Sequence, residues 1–175
     1  MKRIILITGG ERSGKSKYAE ELALSLSPNP VYIATAHIWD EEFKERVRLH
    51  QARRGPQWTN IEEENNLAGC KIEGRCVIID CVTLWLTNLI QPHLDKSGNL
   101  DVNPVLESAK RQLELFTAQD AVFIFVTNEI GSGGVSPNPL QRRFTDLQGW
   151  VNQHLAQMAD EVVLMVSGIP VKIKG

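Results

Sequence analysis

The sequence predicts an α/β fold with a mainly parallel central sheet, helices on both faces and a C-terminal antiparallel hairpin. Three observations point there. Apolar runs recur along the chain with helical stretches between most of them, the pattern of βαβ units. The runs are continuous rather than alternating, as expected for strands covered on both faces. The last two runs are separated only by Ser167-Gly168-Ile169-Pro170, too short for a parallel crossover, so this pair is expected to be antiparallel.

In chain order, Ile4-Ile5-Leu6-Ile7 reads as the first strand and Lys15 to Leu26 as a helix. On that helix Tyr18, Leu22 and Leu26 recur at i, i+4 and i+8, an apolar stripe suited to the sheet. Pro28 and Pro30 end it. Val31-Tyr32-Ile33-Ala34, Cys76-Val77-Ile78-Ile79 and Val122-Phe123-Ile124-Phe125-Val126 are the next strands. Val162-Val163-Leu164-Met165-Val166 and Val171-Lys172-Ile173 close the chain. The stretches 93–103 and 131–139 are rich in Gly, Pro, Asn and Ser and read as loops, which in such folds are where ligands meet the protein.

A length of 175 residues fits one domain, 1–175, with a full core. With 42% hydrophobic and 23% charged residues the composition is that of a soluble protein. The net charge of -2 supplies no basic field for nucleic acid or an anionic membrane. No apolar run approaches the roughly 20 residues needed to span a bilayer. Lys2 and Arg3 are followed by an apolar run too short for a signal peptide, which suits a strand better. Cys70, Cys76 and Cys81 are odd in number and contain no C-x-x-C pair. Reduced, buried thiols in a cytoplasmic protein are therefore expected, with neither a disulfide frame nor a zinc site.

Gly9-Gly10-Glu11-Arg12-Ser13-Gly14-Lys15-Ser16 meets the spacing G-x-x-x-x-G-K-S, between a strand and a helix as that motif requires. Gly9 and Gly14 let the backbone curl so that N–H groups converge on phosphate oxygens, and the helix N-terminus adds positive potential. Lys15 is expected on the β- and γ-phosphates, and the Ser16 hydroxyl on Mg²⁺. A second metal ligand is expected at the end of a neighbouring strand, where Asp80 follows Val77-Ile78-Ile79 directly. A helix cap for residue 82 onward is the plainer alternative for that carboxylate. Glu129, in Thr127-Asn128-Glu129 after another strand, could position a water or a substrate hydroxyl, or be a simple polar loop residue. The guanine-reading tetrapeptide N-K-x-D of regulatory GTPases is absent. These residues alone stop at nucleotide-dependent phosphoryl transfer to a small molecule.

Asp40 can cap a helix running to Arg54. At about 100° per residue Phe43, Val47, His50 and Arg54 share one face, with Arg46 and Arg53 at its edge. Cationic neighbours favour neutral imidazole and attract phosphates. A neutral ring nitrogen can attack an α-phosphate and hold the nucleotidyl group as a phosphoramidate. From spacing alone a satisfied structural or surface histidine is the better reading of His50.

Five segments together resemble the bifunctional adenosylcobinamide kinase/adenosylcobinamide-phosphate guanylyltransferases: Thr8 to Ser16, Tyr32-Ile33-Ala34-Thr35-Ala36, Arg46 to Arg54, Val126-Thr127-Asn128-Glu129-Ile130-Gly131, and Val166 to Lys174. The resemblance spans essentially the whole chain, and its last two blocks are far more specific than the phosphate loop. It implies a RecA-like P-loop NTPase core and homo-oligomers, trimers among them. It implies phosphorylation of adenosylcobinamide by ATP or GTP, then transfer of GMP from GTP to adenosylcobinamide phosphate, giving adenosylcobinamide-GDP and pyrophosphate. The guanylylated histidine of the family corresponds to His50. Nucleotide contacts implied by the match are the cradle Thr8, Gly9, Gly10, Glu11, Arg12, Ser13, Gly14, Lys15 and Ser16. They continue with Ala34, Thr35, Ala36, Gln51, Ala52, Arg53, Arg54, Glu62 and Asp80. Arg53 or Arg54 would offset charge on the α-phosphate. Mg²⁺ with GTP or ATP is implied, held by Ser16 and Asp80, and no prosthetic group. Two departures stand out: some relatives carry Glu where this chain has Asp80, and some pair the histidine with a second one, where this chain has Leu49 and Gln51.

Overall fold

A computed structural model describes residues 2–38, 40–52, 54–72 and 74–175, and all side chains among them except those of Glu42, Phe43, Arg46 and His50. The chain runs β1 (Arg3–Gly9), α1 (Lys15–Leu26), β2 (Val31–Ala34), α2 (Glu41–Ala52), β3 (Thr59–Glu62) and β4 (Cys76–Asp80). It continues through α3 (Val82–Ile90), α4 (Val102–Phe116), β5 (Val122–Val126), α5 (Pro139–Met158), β6 (Glu161–Val166) and β7 (Ile169–Lys174). The seven strands form one sheet in the order β3-β2-β4-β5-β1-β6-β7. All neighbours pair in parallel except β6 and β7.

The alternation of side chains along the parallel strands divides the core in two. Ile4, Leu6, Ile33, Ile79, Phe123 and Phe125 point to one face, where α3, α4 and α5 bring Trp85, Leu113, Phe116 and Val151 against them. Ile5, Ile7, Tyr32, Ile78 and Val126 point to the other, under Ala19 and Ala23 of α1. The contact of α1 with the sheet differs from the expected stripe. The small residues Ala19 and Ala23 are fully buried, Tyr18 and Leu22 only flank them, and Leu26 is exposed. Small side chains let the helix axis approach the sheet closely, and the larger ones fill its edges.

The expected hairpin forms, with Ser167 and Gly168 as its two-residue turn at φ 51° and 84°. Both turn residues take the left-handed conformation that matches the twist of the flanking strands. β7 extends beyond the residues 171–173 read from the sequence, and every residue of it is exposed. β3 was not expected. Its sequence Thr-Asn-Ile-Glu has one apolar residue, because it is an edge strand with little to bury. Cys70, Cys76 and Cys81 are free and buried. No helix among the described residues is long and apolar enough to cross a membrane.

The parallel strands β1, β2, β4 and β5 end together, so Gly9, Ala34, Asp80 and Val126 share one edge of the sheet. Phe116 pins the other layer. It is fully buried and meets Phe123 and Phe125 edge-on, with ring centroids 5.2 and 6.4 Å away. Phe116→Ala is expected to lower the free energy of unfolding by about 3–5 kcal/mol. Urea unfolding followed by far-UV circular dichroism would measure this as a shifted midpoint with an unchanged slope.

Candidate active site

The loop after β1 has the curled backbone expected of a phosphate cradle. Gly9 has φ 147°, Arg12 φ 56° and Gly14 φ 96°. Gly10, Glu11 and Arg12 are exposed, Thr8, Gly14 and Ser16 half-buried, and Ser13 and Lys15 buried. The Ser13 N–H donates to the Gly10 carbonyl at 3.3 Å. The Lys15 ammonium folds over the loop, donating to the Gly10 carbonyl at 2.6 Å. Burial pulls Lys15 below its ordinary 10.5, opposed by the ionisable groups of Cys81, Asp80 and Glu11.

The cradle is packed against the C-terminal hairpin. The Gly168 N–H donates to the Ser13 carbonyl at 2.9 Å. A Cβ on Gly14 would lie 3.3 Å from the Gly168 Cα, and one on Gly9 only 2.6 Å from the Met165 carbonyl. The hairpin block of the sequence is thus the floor under the cradle.

Asp80 ends β4. That strand is not the immediate neighbour of β1, because β5 lies between them. At about 4.8 Å per strand this sets the two strand ends about 10 Å apart, yet Asp80 still acts electrostatically on Lys15. The Tyr32 hydroxyl donates to Asp80 Oδ2 at 2.7 Å. Burial, then the charge of Asp80, raise Tyr32 well above its ordinary 10, so it remains a donor. Sequence reasoning assigned Tyr32 only to a strand, since its partner is 48 residues away. Next in the chain, burial pushes the Cys81 thiol up to about 12, so it stays protonated and unreactive.

Ala34 and Ala36 are half-buried at the end of β2. Thr35 is fully buried, and its hydroxyl both donates to the Cys81 carbonyl at 2.7 Å and accepts from the Cys81 N–H at 2.9 Å. Its side chain therefore clamps the ends of β2 and β4 together. Glu62 is exposed at the end of β3, in register with Ala34.

The α2 helix begins one residue after Asp40, whose carbonyl accepts from the Lys44 N–H at 3.0 Å. It ends at Ala52, so Arg54 does not continue the helical face expected to include His50. Instead the Arg54 guanidinium stacks 3.6 Å over the Tyr32 ring, approaches Glu20 at 3.8 Å and donates to Asn60 at 2.7 Å. Arg54 thereby braces the residue that orients Asp80. Gln51 and Ala52 are exposed. The backbone of His50 belongs to the last turn of α2, whereas its ring, the side chains of Phe43 and Arg46, and the whole of Arg53 lie outside the described residues.

The Thr127-Asn128-Glu129 turn is tied on both sides. The Thr127 and Glu129 N–H groups donate to the Ile7 and Gly9 carbonyls, each at 3.0 Å. Gln148 donates to the Thr127 hydroxyl, Asn152 to the Asn128 carbonyl, and the Asn128 N–H to the Thr83 hydroxyl. Glu129 Oε1 accepts from the Gly131 N–H at 2.7 Å. The polar residues Thr83, Gln148 and Asn152 sit in α3 and α5 and act on a turn far away in the chain, so periodicity could not single them out.

The family model described as cobinamide kinase / cobinamide phosphate guanyltransferase matches residues 5–173. Similar proteins include the bifunctional adenosylcobalamin biosynthesis protein CobP of Pseudomonas aeruginosa, 39% identical with 97% of this chain and 96% of that protein covered. The bifunctional adenosylcobalamin biosynthesis protein CobU of Escherichia coli is 38% identical, with 98% and 99% covered. Among solved structures, a prototypical ATPase from the type III secretion system of pathogenic bacteria aligns with a TM-score of 0.57 at 11% identity, over 93% of this chain and 50% of that one. That likeness shows the P-loop ATPase fold alone.

The contact between cradle and hairpin generates a prediction. Gly9→Ala would force a Cβ to 2.6 Å from the Met165 carbonyl and 2.9 Å from Ser13 Oγ. Such strain costs about 1–3 kcal/mol, so affinity for a nucleoside triphosphate should fall roughly tenfold or more and the melting temperature should drop. Gly10→Ala, where a Cβ meets nothing within 4 Å, should leave the melting temperature unchanged. Calorimetric titration and differential scanning fluorimetry of the pair measure both effects.

Proposed function

The chain belongs to the cobinamide kinase / cobinamide phosphate guanyltransferase family, and on that premise we propose that it serves cobalamin biosynthesis through two reactions at one phosphate cradle. The first phosphorylates the aminopropanol hydroxyl of adenosylcobinamide with ATP or GTP. The second moves GMP from GTP onto adenosylcobinamide phosphate by way of His50, releasing pyrophosphate. The observation that carries this reading is the common edge. The cradle from Gly9 to Ser16, the Asp80 carboxylate and the Glu129 turn all stand at the carboxyl ends of parallel strands, and α2 springs from that same edge after β2.

The donors there suit magnesium. The Ser16 hydroxyl and Asp80 Oδ1 make no hydrogen bond with another described residue, while Asp80 Oδ2 is held by Tyr32. Hard oxygen donors of this kind are those Mg²⁺ takes beside phosphate oxygens. Bound there, the ion would neutralise charge on the β- and γ-phosphates. Lys15 would exchange the Gly10 carbonyl for a phosphate oxygen, and the N–H groups of residues 10–16 would hold the rest.

In the kinase step the acceptor oxygen forms its bond to the γ-phosphorus as the bridge to the β-phosphate breaks. The catalytic contribution is positioning and charge stabilisation. In the transfer step a neutral His50 ring nitrogen bonds to the α-phosphorus as pyrophosphate leaves. An oxygen of the acceptor phosphate then displaces the imidazole. Splitting the transfer lets one site handle two bulky partners in turn.

Two measurements test this reading. Lys15→Ala should abolish both activities, and survival of either would separate the sites. GTP labelled at the α-phosphate should leave acid-labile, alkali-stable label on the wild-type protein and none on His50→Ala. Label retained by that variant would remove His50 from the mechanism.

A further inference from the structure

A cavity of about 660 Å³ opens beside the cradle, between the 98–100 turn, the 131–136 segment and the first two turns of α5. Its volume lies in the range of small-molecule sites. Its three walls are pinned by hydrogen bonds. Asp95 accepts from the Ser97 and Asn99 N–H groups at 2.8 and 2.9 Å, closing the first wall. Glu129 holds Gly131 in the second. Arg142 donates to the Ser136 and Pro137 carbonyls at 2.8 and 3.0 Å, fixing the second wall to the third. Two hydrogen bonds connect this cavity to the cradle: Gly131 N–H to Glu129 Oε1, and Glu129 N–H to the Gly9 carbonyl.

The lining is amphipathic. Leu100, Leu140 and Val135 supply apolar surface, and Val135 is 88% exposed. Arg143 also lines it, is exposed, and makes no hydrogen bond or ion pair with a described residue. The first N–H groups of α5 are already taken, since Asn138 Oδ1 accepts from Leu140 and Gln141. An anion entering the cavity would therefore meet the Arg143 guanidinium rather than the helix terminus.

We propose that this cavity is the part of the acceptor subsite that takes the edge of the corrinoid bearing the aminopropanol arm, the arm directed along Glu129 toward the cradle, the rest of the macrocycle lying outside it, and Arg143 receiving the arm's phosphate in the second reaction. The proposal rests on the cobinamide reading above and adds where the acceptor binds. It separates charge from shape. The first acceptor is a neutral alcohol and the second a phosphate dianion, so Arg143 should matter mainly to the second, and Val135 to both.

The test uses the full-length enzyme with purified adenosylcobinamide and its phosphate. Arg143→Ala should raise KM for the phosphorylated acceptor roughly tenfold, as loss of a charge-assisted hydrogen bond does, and change KM for the unphosphorylated acceptor far less. Val135→Trp should raise both. Covalent labelling of His50 by GTP, which needs no acceptor, should persist in both variants. Unchanged acceptor KM values in both variants would overturn the subsite. Loss of covalent labelling in either variant would also overturn it, by making the cavity part of the nucleotide site. Failure of the cobinamide reading would look different: the wild-type protein itself would turn over neither acceptor.

Discussion

The hydrogen bond from the Gly168 N–H to the Ser13 carbonyl ties the last turn of the chain to its first functional loop. A phosphate cradle needs N–H groups pointing inward, so its carbonyls must point outward and find partners elsewhere. The hairpin supplies one such partner, and a Cβ on Gly14 would press on the Gly168 Cα at 3.3 Å. The antiparallel pair at the end of the sheet therefore does more than close an edge. It fixes the shape of a loop whose glycines would otherwise be free to uncurl. Gly9 is constrained in the same way from β6, through the Met165 carbonyl.

The same logic governs the other strand ends. A parallel sheet delivers its strands to one edge, but each chain leaving that edge must satisfy its own backbone groups. Thr35 does this between β2 and β4 by donating to and accepting from Cys81, while Asn88 donates to the Thr35 carbonyl at 2.8 Å. Gln148 and Asn152 do it for the turn after β5. These buried and half-buried polar groups hold Asp80 and Glu129 at fixed heights above the sheet, and the buried ones are worth more in the low dielectric of the interior than the same contact at the surface. Tyr32 adds direction to Asp80, and Arg54, stacked on the Tyr32 ring, adds rigidity to Tyr32.

Much of this was legible in the sequence, for reasons that differ by element. Strands buried on both faces announce themselves as apolar runs, and the cradle as a spacing that only a curled backbone explains. β3 was illegible because an edge strand buries little. The buried face of α1 was misread because alanines carry weak hydrophobic signal, although close helix-to-sheet packing selects them. Helical periodicity carries Arg54 onto the face of His50, but the helix stops at Ala52, ahead of Gly55-Pro56, where continued helix is unfavourable. The brace Arg54 forms with Tyr32, Glu20 and Asn60 joins residues far apart in the chain. The paired work of Thr35 and of Gln148 was hidden for the same reason: a long-range hydrogen bond leaves no local pattern.

What remains is how one cradle could serve two transfers that attack different phosphorus atoms. On the proposed reading the grip on the triphosphate would be set by the cradle, Lys15 and Asp80, and nothing in that grip would distinguish attack at the γ-position from attack at the α-position. The distinction has to come from what approaches and from where. α2 leaves the sheet edge after β2, on the Asp80 side of the cradle, and none of its described side chains is buried. The cavity at the start of α5 lies next to the Glu129 turn, nearer the cradle, because β5 adjoins β1 and β4 is one strand further out. On the proposed reading, two nucleophiles that reach a fixed triphosphate from different strands of that edge would meet different phosphorus atoms. If the proposed function holds, a shared grip with separate approaches would account for two chemistries without a second nucleotide site, and the rigidity of the cradle would be the condition on which the selectivity of both reactions depends.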